Sequence, residues 1–241
     1  MRRNHGKEGG MRLDRKNNSK LLKKAPKLMT TAENFSYISE QFRTIRANIT
    51  FSMRKQGVKT LLVTSATPGE GKSTNAANLA VVFAQEGKRV LLIDADMRKP
   101  VMHYTFRLMN GVGLSNVLTT MDYFEYSIQE TFIDGLSVIT SGPIPKNPAE
   151  LLSSNNLKLL VKELEKQFDL IIFDAPPILA VSDAQILSNQ CDGTILVVSA
   201  GKVDKSGVIK AKTALQSSQA NVLGVIVNNF KQAKGEYYYY R

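Results

Sequence analysis

Six short apolar segments, rich in Val, Ile and Leu, constrain the fold of this chain more than any other feature. They are Thr60–Thr64, Val90–Ile93, Leu136–Thr140, Leu170–Phe173, Thr194–Val198 and Val222–Val227. Because their apolar residues follow one another without alternation, these segments are typical of strands buried on both faces of a parallel sheet. Helix-length segments separate them, at about 72–86, 150–167, 181–190 and 205–217. The sequence therefore predicts one doubly wound α/β domain with a mostly parallel sheet.

The positive charge of the chain is concentrated near its N-terminal end. The formal net charge is +11, and residues 1–30 hold ten of the 32 Lys and Arg residues against only Glu8 and Asp14. We therefore predict a flexible basic tail over residues 1–31 and no nucleic-acid partner, because the folded body carries little excess charge. Weak attraction of this tail to an anionic membrane surface is the alternative.

The apolar runs and the cysteine content bear on the cellular setting. No apolar run approaches the ~20 residues that cross a bilayer, and the N-terminal end lacks the apolar stretch of a secretion signal. We therefore expect a cytoplasmic protein. The single cysteine, Cys191, excludes an internal disulfide and is predicted to be a small buried residue near a helix end.

A glycine-rich segment joins the first apolar run to the helix-length segment that follows it. Its residues are Ser65-Ala66-Thr67-Pro68-Gly69-Glu70-Gly71-Lys72-Ser73-Thr74, in the strand–loop–helix context of a phosphate-binding loop. Glycines let the backbone turn its N–H groups towards phosphate oxygens, and the following helix offers the positive end of its dipole. The predicted nucleotide-binding residues are Gly69, Glu70, Gly71, Lys72, Ser73 and Thr74, with Lys72 on the β- and γ-phosphates and Ser73 on Mg²⁺. Ala66 replaces the usual first glycine. Because alanine disfavours a positive φ, we expect a negative φ at this position.

Acidic residues end two of the predicted strands. Asp94 and Asp96 follow one apolar run, and Asp174 follows another. The carboxyl ends of parallel strands lie along one edge of a sheet, next to the phosphate loop. We therefore expect the three carboxylates to converge on Mg²⁺ and the γ-phosphate, and we predict a metal site formed by Ser73, Asp94, Asp96 and Asp174.

This combination of residues is compatible with hydrolysis or with transfer of a phosphoryl group. Transfer requires a cation on the phosphates and a carboxylate that accepts the proton of the incoming hydroxyl. The predicted catalytic residues are Lys72, Asp94 and Asp96. Asp94 is the candidate base, whereas Asp96 and Asp174 are expected on the metal or its water.

ATP is the predicted nucleotide. A guanine-selecting Asn-Lys-x-Asp segment is absent from the sequence. Asn228, which follows the last predicted strand, and its neighbour Asn229 are candidate contacts to the base.

A charged stripe is predicted on a helix that precedes the sheet, from residue 32 to about residue 53. Glu40, Arg43 and Arg46 recur there every three residues, so they lie on one slowly drifting stripe of the helix surface. On spacing alone, the stripe is typical of a solvated face with an i,i+3 ion pair.

Four consecutive tyrosines, Tyr237, Tyr238, Tyr239 and Tyr240, lie near the C-terminal end of the chain. Considered alone, such a run is either a set of phosphoacceptors or an adhesive or partner-docking segment. Beside a site that is competent for phosphoryl transfer, the phosphoacceptor interpretation is preferred. The predicted division is a P-loop domain over residues 32–232 and a tyrosine-rich tail over residues 233–241.

Taken together, these motifs resemble those of the bacterial protein-tyrosine kinases, which have a deviant-Walker P-loop fold similar to that of MinD and ParA. The resemblance covers roughly residues 32–241. Its motifs are the Walker A-like loop Pro68–Thr74, the Walker A′-like segment Leu92–Arg98, the Walker B-like segment Ile171–Pro177, the segments Gly113–Ser115 and Gly142–Leu152, and the tyrosine run.

The resemblance implies an ATP-dependent, Mg²⁺-requiring tyrosine kinase that phosphorylates its C-terminal tyrosines in trans. In this family a Glu-x-x-Arg-x-x-Arg helix packs subunits into a ring, an octamer by resemblance, so Glu40, Arg43 and Arg46 become the expected interface. It further implies the split type of Gram-positive systems, in which a separate membrane activator recruits the kinase to the inner face of the cell membrane. A protein-tyrosine phosphatase as partner, and control of capsular or extracellular polysaccharide synthesis and export, complete the expectation.

Two alternative functions remain at this point. A ParA/MinD-like ATPase would act as a nucleotide-dependent dimerisation switch, but those proteins carry a signature Lys where this chain has Thr67, and they lack a tyrosine tail. A nonenzymatic scaffold is the other alternative, and intact Lys72 and acidic residues argue against it.

Overall fold

Seven strands form one sheet within the residues that the computed structural model describes, which are 26–28, 30, 37–54 and 57–230. They are β1 Thr60–Ser65, β2 Val90–Asp94, β3 Ile128–Glu130, β4 Leu136–Ile139, β5 Leu170–Asp174, β6 Gly193–Ser199 and β7 Val222–Asn228. The strand order is β3-β4-β2-β5-β1-β6-β7, and only the β3–β4 pair is antiparallel. This mostly parallel sheet confirms the predicted fold class.

Helices cover both faces of the sheet. Within the described ranges the α-helices are α1 Tyr37–Arg54, α2 Lys72–Ala84, α3 Met102–Phe106, α4 Leu114–Thr119, α5 Phe124–Ser127, α6 Pro148–Leu152, α7 Asn155–Gln167, α8 Asp183–Gln190 and α9 Lys205–Ser217, and a 3₁₀ helix spans Met121–Tyr123. Phe42 of α1 and Phe83 of α2 belong to the core on one face, and Leu160 of α7 and Leu215 of α9 to the core on the other. The strands supply alternate residues to these two cores, as a doubly wound sheet requires.

The predicted strands are confirmed, each to within one residue at either end. The predicted helix over 150–167 is instead divided into α6 and α7. Ser154 interrupts it, because its extended backbone (φ −72°, ψ 158°) places it at the N-cap of α7. The sequence prediction also missed β3 and the short helices α3 to α5, which are too short to show a clear periodicity.

Some predictions concern residues that lie outside the described ranges. These are the basic tail apart from residues 26–28 and 30, the start of the first helix at 32–36, and the segment 233–241 with Tyr237–Tyr240.

The interior of the sheet fixes the place of the polar residues that end its strands. Every residue of β1, β2 and β5 is buried, whereas Ile226 is the buried residue of the edge strand β7.

Cys191 is buried at the C-cap of α8, as predicted, and burial raises the pKa of its thiol. In the part of the chain that the structure describes, no helix is long and apolar enough to cross a membrane.

Candidate active site

The phosphate loop connects β1 to α2 and turns on two glycines. Gly69 has φ 78° and Gly71 has φ 95°, values in the left-handed region that favours glycine, and Gly71 is the N-cap of α2. Ala66 is not among the residues with positive φ, so its methyl group is compatible with the start of the loop. The loop thus has the backbone conformation that phosphate binding requires, despite the replaced first glycine.

The side chain of Glu70 points into the loop and is fully buried. Its Oε2 atom accepts a hydrogen bond of 3.0 Å from the backbone N–H of Ala66, and its Oε1 atom accepts one of 3.0 Å from the Thr67 hydroxyl. Glu70 was predicted to bind nucleotide. Since its carboxylate closes the loop internally, only its backbone amide remains available for that role.

Lys72 is held between two of the predicted carboxylates. Its Nζ atom lies 2.9 Å from Oδ2 of Asp96 and 3.4 Å from Oδ1 of Asp174, and it donates a 3.1 Å hydrogen bond to the Ser73 hydroxyl. Burial opposes the charged ammonium, but the charges of Asp174 and Asp96 outweigh this effect and raise the pKa of Lys72. The cation is therefore retained at neutral pH and fixed at the mouth of the phosphate loop.

Asp94 and Asp174 face each other as register partners of β2 and β5. The Oδ2 atom of Asp94 accepts hydrogen bonds of 2.9 Å from the backbone N–H groups of Val101 and Met102. Within the described structure, Oδ1 of Asp94 and Oδ2 of Asp174 are buried without a hydrogen-bond partner. Burial, together with the Asp174 charge, raises the pKa of Asp94 to about 7, and burial also raises the pKa of Asp174.

The donor set at this position fits Mg²⁺ better than a metal that needs a complete protein cage. Among the described residues, no three His, Cys, Asp or Glu side chains form a preassembled metal cluster. Mg²⁺ keeps several waters and commonly binds through one or two carboxylates and substrate phosphates. Two unpartnered carboxylate oxygens and the Ser73 hydroxyl offer such oxygen ligands. The predicted set of Ser73, Asp94, Asp96 and Asp174 is thus gathered in one place, although it does not form a closed site.

A cavity of about 390 Å³ opens over this cluster. Its lining includes Gly71, Lys72, Asp96 and Arg98, whereas Asp94 is fully buried behind them. A larger groove, of about 520 Å³, lies between α1 and β7, away from the phosphate loop. We place the candidate site at the smaller cavity because it contains the phosphate loop and the acidic residues.

Asp183 is a residue of this region that the sequence analysis missed. It is fully buried at the start of α8 and accepts two hydrogen bonds from Arg98, of 2.9 Å from Nε and 3.0 Å from Nη2. This bidentate pair attaches the segment after β2 to α8 and fixes one wall of the cavity. An acidic residue at a helix start is a common feature, so the sequence alone carries no signal for this pairing.

Asn228 and Asn229, the candidate contacts to the base, are instead bonded to the protein. The Asn228 side chain donates a 2.8 Å hydrogen bond from Nδ2 to the backbone carbonyl of Glu70, and Asn229 donates one of 3.0 Å to the Ser199 hydroxyl. Asn228 therefore supports the phosphate loop from the end of β7. Its contact to a nucleotide base stays a prediction.

The three residues of the charged stripe on α1 have different contacts. Arg43 forms an i,i+3 ion pair with Glu40, as expected for a solvated face. Arg46 donates a 2.8 Å hydrogen bond to the backbone carbonyl of Val82 in α2 and lies 3.8 Å from Glu86. Arg46 is thus tied to its own subunit, and the interface role of the stripe stays a prediction.

The fold and the site define a class of protein before any comparison. A mostly parallel sheet has a phosphate loop after its interior strand β1 and acidic residues at the ends of two neighbouring strands, which is the arrangement of a P-loop NTPase fold.

Comparisons with known proteins identify the family within this class. Residues 58–225 match the AAA domain family. The chain is 52% identical over 227 residues to the tyrosine-protein kinase YwqD of Bacillus subtilis, across 94% of this chain and 95% of that protein. It is 41% identical over 199 residues to the tyrosine-protein kinase CpsD of Streptococcus agalactiae serotype III, across 82% and 85% of the two chains. The crystal structure of the chimerical protein CapA2B2 has a TM-score of 0.82 at 41% identity, covering 85% of this chain and 90% of that one.

The chain therefore belongs to the bacterial protein-tyrosine kinase family. This confirms the resemblance that the motifs indicated and the P-loop fold class.

Proposed function

We propose that this chain is an ATP-dependent protein-tyrosine kinase that phosphorylates the tyrosines of its own C-terminal segment, Tyr237–Tyr240. The proposal depends above all on the position of Lys72, whose ammonium lies 2.9 Å from Asp96 and 3.4 Å from Asp174 beside the phosphate loop. Phosphoryl transfer to a hydroxyl requires a cation that binds the phosphates and a carboxylate that accepts the hydroxyl proton. Membership of the tyrosine kinase family supports a phenol as the acceptor.

In the proposed reaction, Asp94 accepts the phenol proton while the phenol oxygen attacks the γ-phosphorus. The bond from that phosphorus to the β–γ bridging oxygen breaks, and ADP leaves. Asp94 suits the role of general base because one oxygen of its buried carboxylate has no hydrogen-bond partner within the described structure and can accept a proton. Lys72 holds the β- and γ-phosphates, and the N–H groups of the phosphate loop orient them.

The residues proposed to hold Mg²⁺ or its water shell are Ser73, Asp94, Asp96 and Asp174. The bound cation supplies neutralisation of the phosphate charge. The unpartnered buried oxygens of Asp94 and Asp174 support this assignment, because such atoms are costly unless they gain a ligand.

The tyrosines are proposed to react in trans, within a ring of subunits that the α1 stripe of Glu40, Arg43 and Arg46 closes. Glu40 is exposed on this face, which makes it accessible to a neighbouring subunit. A separate membrane activator would recruit the kinase to the inner face of the cell membrane, and a tyrosine phosphatase would reset the tail. The setting proposed from the family is synthesis and export of a capsular or extracellular polysaccharide.

The kinase claim is tested by incubating the full chain with ATP and Mg²⁺, with and without a candidate activator fragment. Phosphate is then located by mass spectrometry. We expect phosphotyrosine within Tyr237–Tyr240, and none in the Lys72→Met variant. If neither condition yields phosphotyrosine in the wild-type tail, the chain is not a self-phosphorylating kinase.

The trans arrangement has its own test. The Lys72→Met chain keeps its tail tyrosines but lacks the catalytic cation, and a second chain with Tyr237–Tyr240 replaced by Phe keeps the active site. Mixing the two should label the Lys72→Met chain. Transfer in trans would be contradicted if phosphate appeared only on chains that carry both Lys72 and the tail tyrosines.

A further inference from the structure

Lys202 lies over the phosphate loop, although no sequence motif marks it. A Cβ atom built on Gly69 would lie 2.5 Å from Nζ of Lys202 and 3.9 Å from its Cε atom. The ammonium group therefore occupies the space directly over the loop backbone, which is open because position 69 has no side chain. An anion bound at this position could contact both the Lys202 ammonium and the backbone of the phosphate loop.

Hydrogen bonds attach the segment that carries Lys202 to the same structural unit as the phosphate loop. The N–H of Lys202 donates a 3.1 Å bond to the Ser199 carbonyl, and the N–H of Ala200 donates a 2.8 Å bond to the Asn228 carbonyl. The Asn228 side chain in turn donates its 2.8 Å bond to the Glu70 carbonyl in the loop. The backbone at Lys202 is thus held beside the phosphate loop from the ends of β6 and β7.

The charge of Lys202 is available for a ligand. Lys72 is paired with Asp96 and Arg98 with Asp183, whereas no carboxylate of the described residues pairs with Lys202. Its side chain is exposed to solvent. An exposed ammonium beside a loop of inward N–H groups adds a positive charge to an anion-binding site.

The sheet order indicates which part of a nucleotide this charge would meet. Asp94 and Asp174 end β2 and β5, on one side of β1, the strand that leads into the phosphate loop. Lys202 follows β6, on the other side of β1. In the proposed function the γ-phosphoryl group is directed to the acidic residues. The nucleoside end of the nucleotide then lies on the side of β6 and β7.

We infer that Lys202 is a nucleotide-binding residue, whose ammonium contacts the oxygens of the ADP portion of the bound nucleotide. This inference rests on the proposed nucleotide site and adds to it a second cation from a different strand. Since ADP is common to substrate and product, the contact contributes equally to the binding of ATP and ADP. It therefore affects KM for ATP and leaves kcat largely unchanged.

The test is calorimetric titration of the full chain with ADP and, separately, with a non-hydrolysable ATP analogue, both with Mg²⁺. The variants are Lys202→Met, Lys202→Arg and, as a matched control, Lys205→Met at the exposed start of α9. We expect Lys202→Met to raise Kd by roughly tenfold for both ligands, as loss of one charge-assisted hydrogen bond predicts. Lys202→Arg should recover most of the affinity, and Lys205→Met should match the wild type.

Two results would overturn the inference. An ADP Kd within about twofold of the wild type in Lys202→Met would exclude the contact, and a loss restricted to the triphosphate would move it to the γ-phosphate. Thermal unfolding of the nucleotide-free variants checks that each substitution leaves the fold intact. Because the titration needs no kinase reaction, its outcome is independent of whether the tail becomes phosphorylated.

Discussion

Asp94 and Asp174 are register partners at the carboxyl ends of β2 and β5, and each carries a buried oxygen without a partner within the described structure. Neighbouring strands lie about 4.8 Å apart, so the two carboxyl groups share one small, poorly solvated space. Burial of Asp94, together with the negative charge of Asp174, raises the pKa of Asp94 to about 7. The two unpartnered carboxylate oxygens thus form a site suited to a cation.

Replacing Asp94 with Asn (D94N) should change how the stability of the nucleotide-free protein depends on pH. In the folded state Asp94 keeps its proton up to about pH 7, whereas in the unfolded chain it loses it near its ordinary pKa of 3.8. Wild-type stability contributed by this group is therefore present below pH 3.8 and is lost as the pH rises towards 7. D94N lacks this titration. Its free energy of unfolding relative to the wild type should therefore increase by on the order of 2 kcal/mol from pH 5 to pH 8.

Thermal and urea unfolding at pH 5 and pH 8, without nucleotide and Mg²⁺, provide the measurement. Asp134→Asn, a change of the same type at a residue outside the site, is the control and should show no such difference between the two pH values. If D94N changed the free energy of unfolding equally at both pH values, Asp94 would already be ionised in the folded protein at pH 5.

Glu70 should matter for the shape of the phosphate loop more than for direct contact with a ligand. In Glu70→Ala, the N–H of Ala66 loses its acceptor, so we expect a loss of about 1–3 kcal/mol in the free energy of unfolding. The relaxed loop should also bind ADP less tightly. Glu70→Gln keeps an acceptor oxygen and should lie between Ala and the wild type.

Thr67→Val separates the two bonds of the Glu70 carboxylate, since it removes only the hydroxyl donor. It should cost less than Glu70→Ala in both urea unfolding and ADP titration. If Glu70→Ala bound ADP as tightly as the wild type, the loop would hold its conformation without this carboxylate.

The parts of the site that could be predicted from sequence depend on local pattern. Apolar runs specify buried strands, and a glycine-rich segment between strand and helix specifies a phosphate loop. Once the strands are parallel, residues that directly follow them meet at one edge of the sheet. Lys72, Asp94 and Asp174 therefore come together as the sequence predicts.

The parts that could not be predicted depend on contacts between distant segments. The pairing of Arg98 with Asp183, and the bond from Asn228 to the Glu70 carbonyl, each require the relative position of two loops, which no spacing along the chain encodes. Glu70 is similar, because its residue type in a phosphate loop does not reveal whether its carboxylate points inwards or towards solvent. Short helices such as α3 fail for another reason, since five residues cannot show a helical period.

The α1 stripe should separate into two functional parts. Arg46 donates to the Val82 carbonyl of its own subunit, so Arg46→Ala should lower the free energy of unfolding of the subunit by about 1 kcal/mol. Arg43→Ala and Glu40→Ala remove the i,i+3 ion pair at the surface of α1, and such a pair is worth little to folding. They should leave thermal unfolding nearly unchanged and, if the stripe is the ring interface, reduce assembly.

Thermal unfolding at low protein concentration and light scattering at high concentration distinguish these effects. Equal losses of thermal stability in all three variants would show that the stripe supports the subunit alone. Rings that persist when Glu40, Arg43 and Arg46 are all replaced by Ala would exclude the interface role.

Phosphorylation of Tyr237–Tyr240 should loosen the assembly that delivers the tyrosines. Each phosphate adds roughly −1.5 to −2 charges at neutral pH, so several of them place strong like charge on a four-residue segment. The segment should then be repelled from a neighbouring site that already contains three aspartates. We expect the mean particle mass from light scattering to fall after incubation with ATP and Mg²⁺, and to fall less at high salt, because salt screens the repulsion.

The variant with Tyr237–Tyr240 replaced by Phe is the matched control, since it keeps the ring face and the active site but accepts no phosphate. It should stay assembled under the same conditions. If it dissociates with ATP and Mg²⁺ as the wild type does, then nucleotide binding, and not phosphorylation of the tail, opens the ring. The charge on the tail would in that case be a product of the reaction without being its switch.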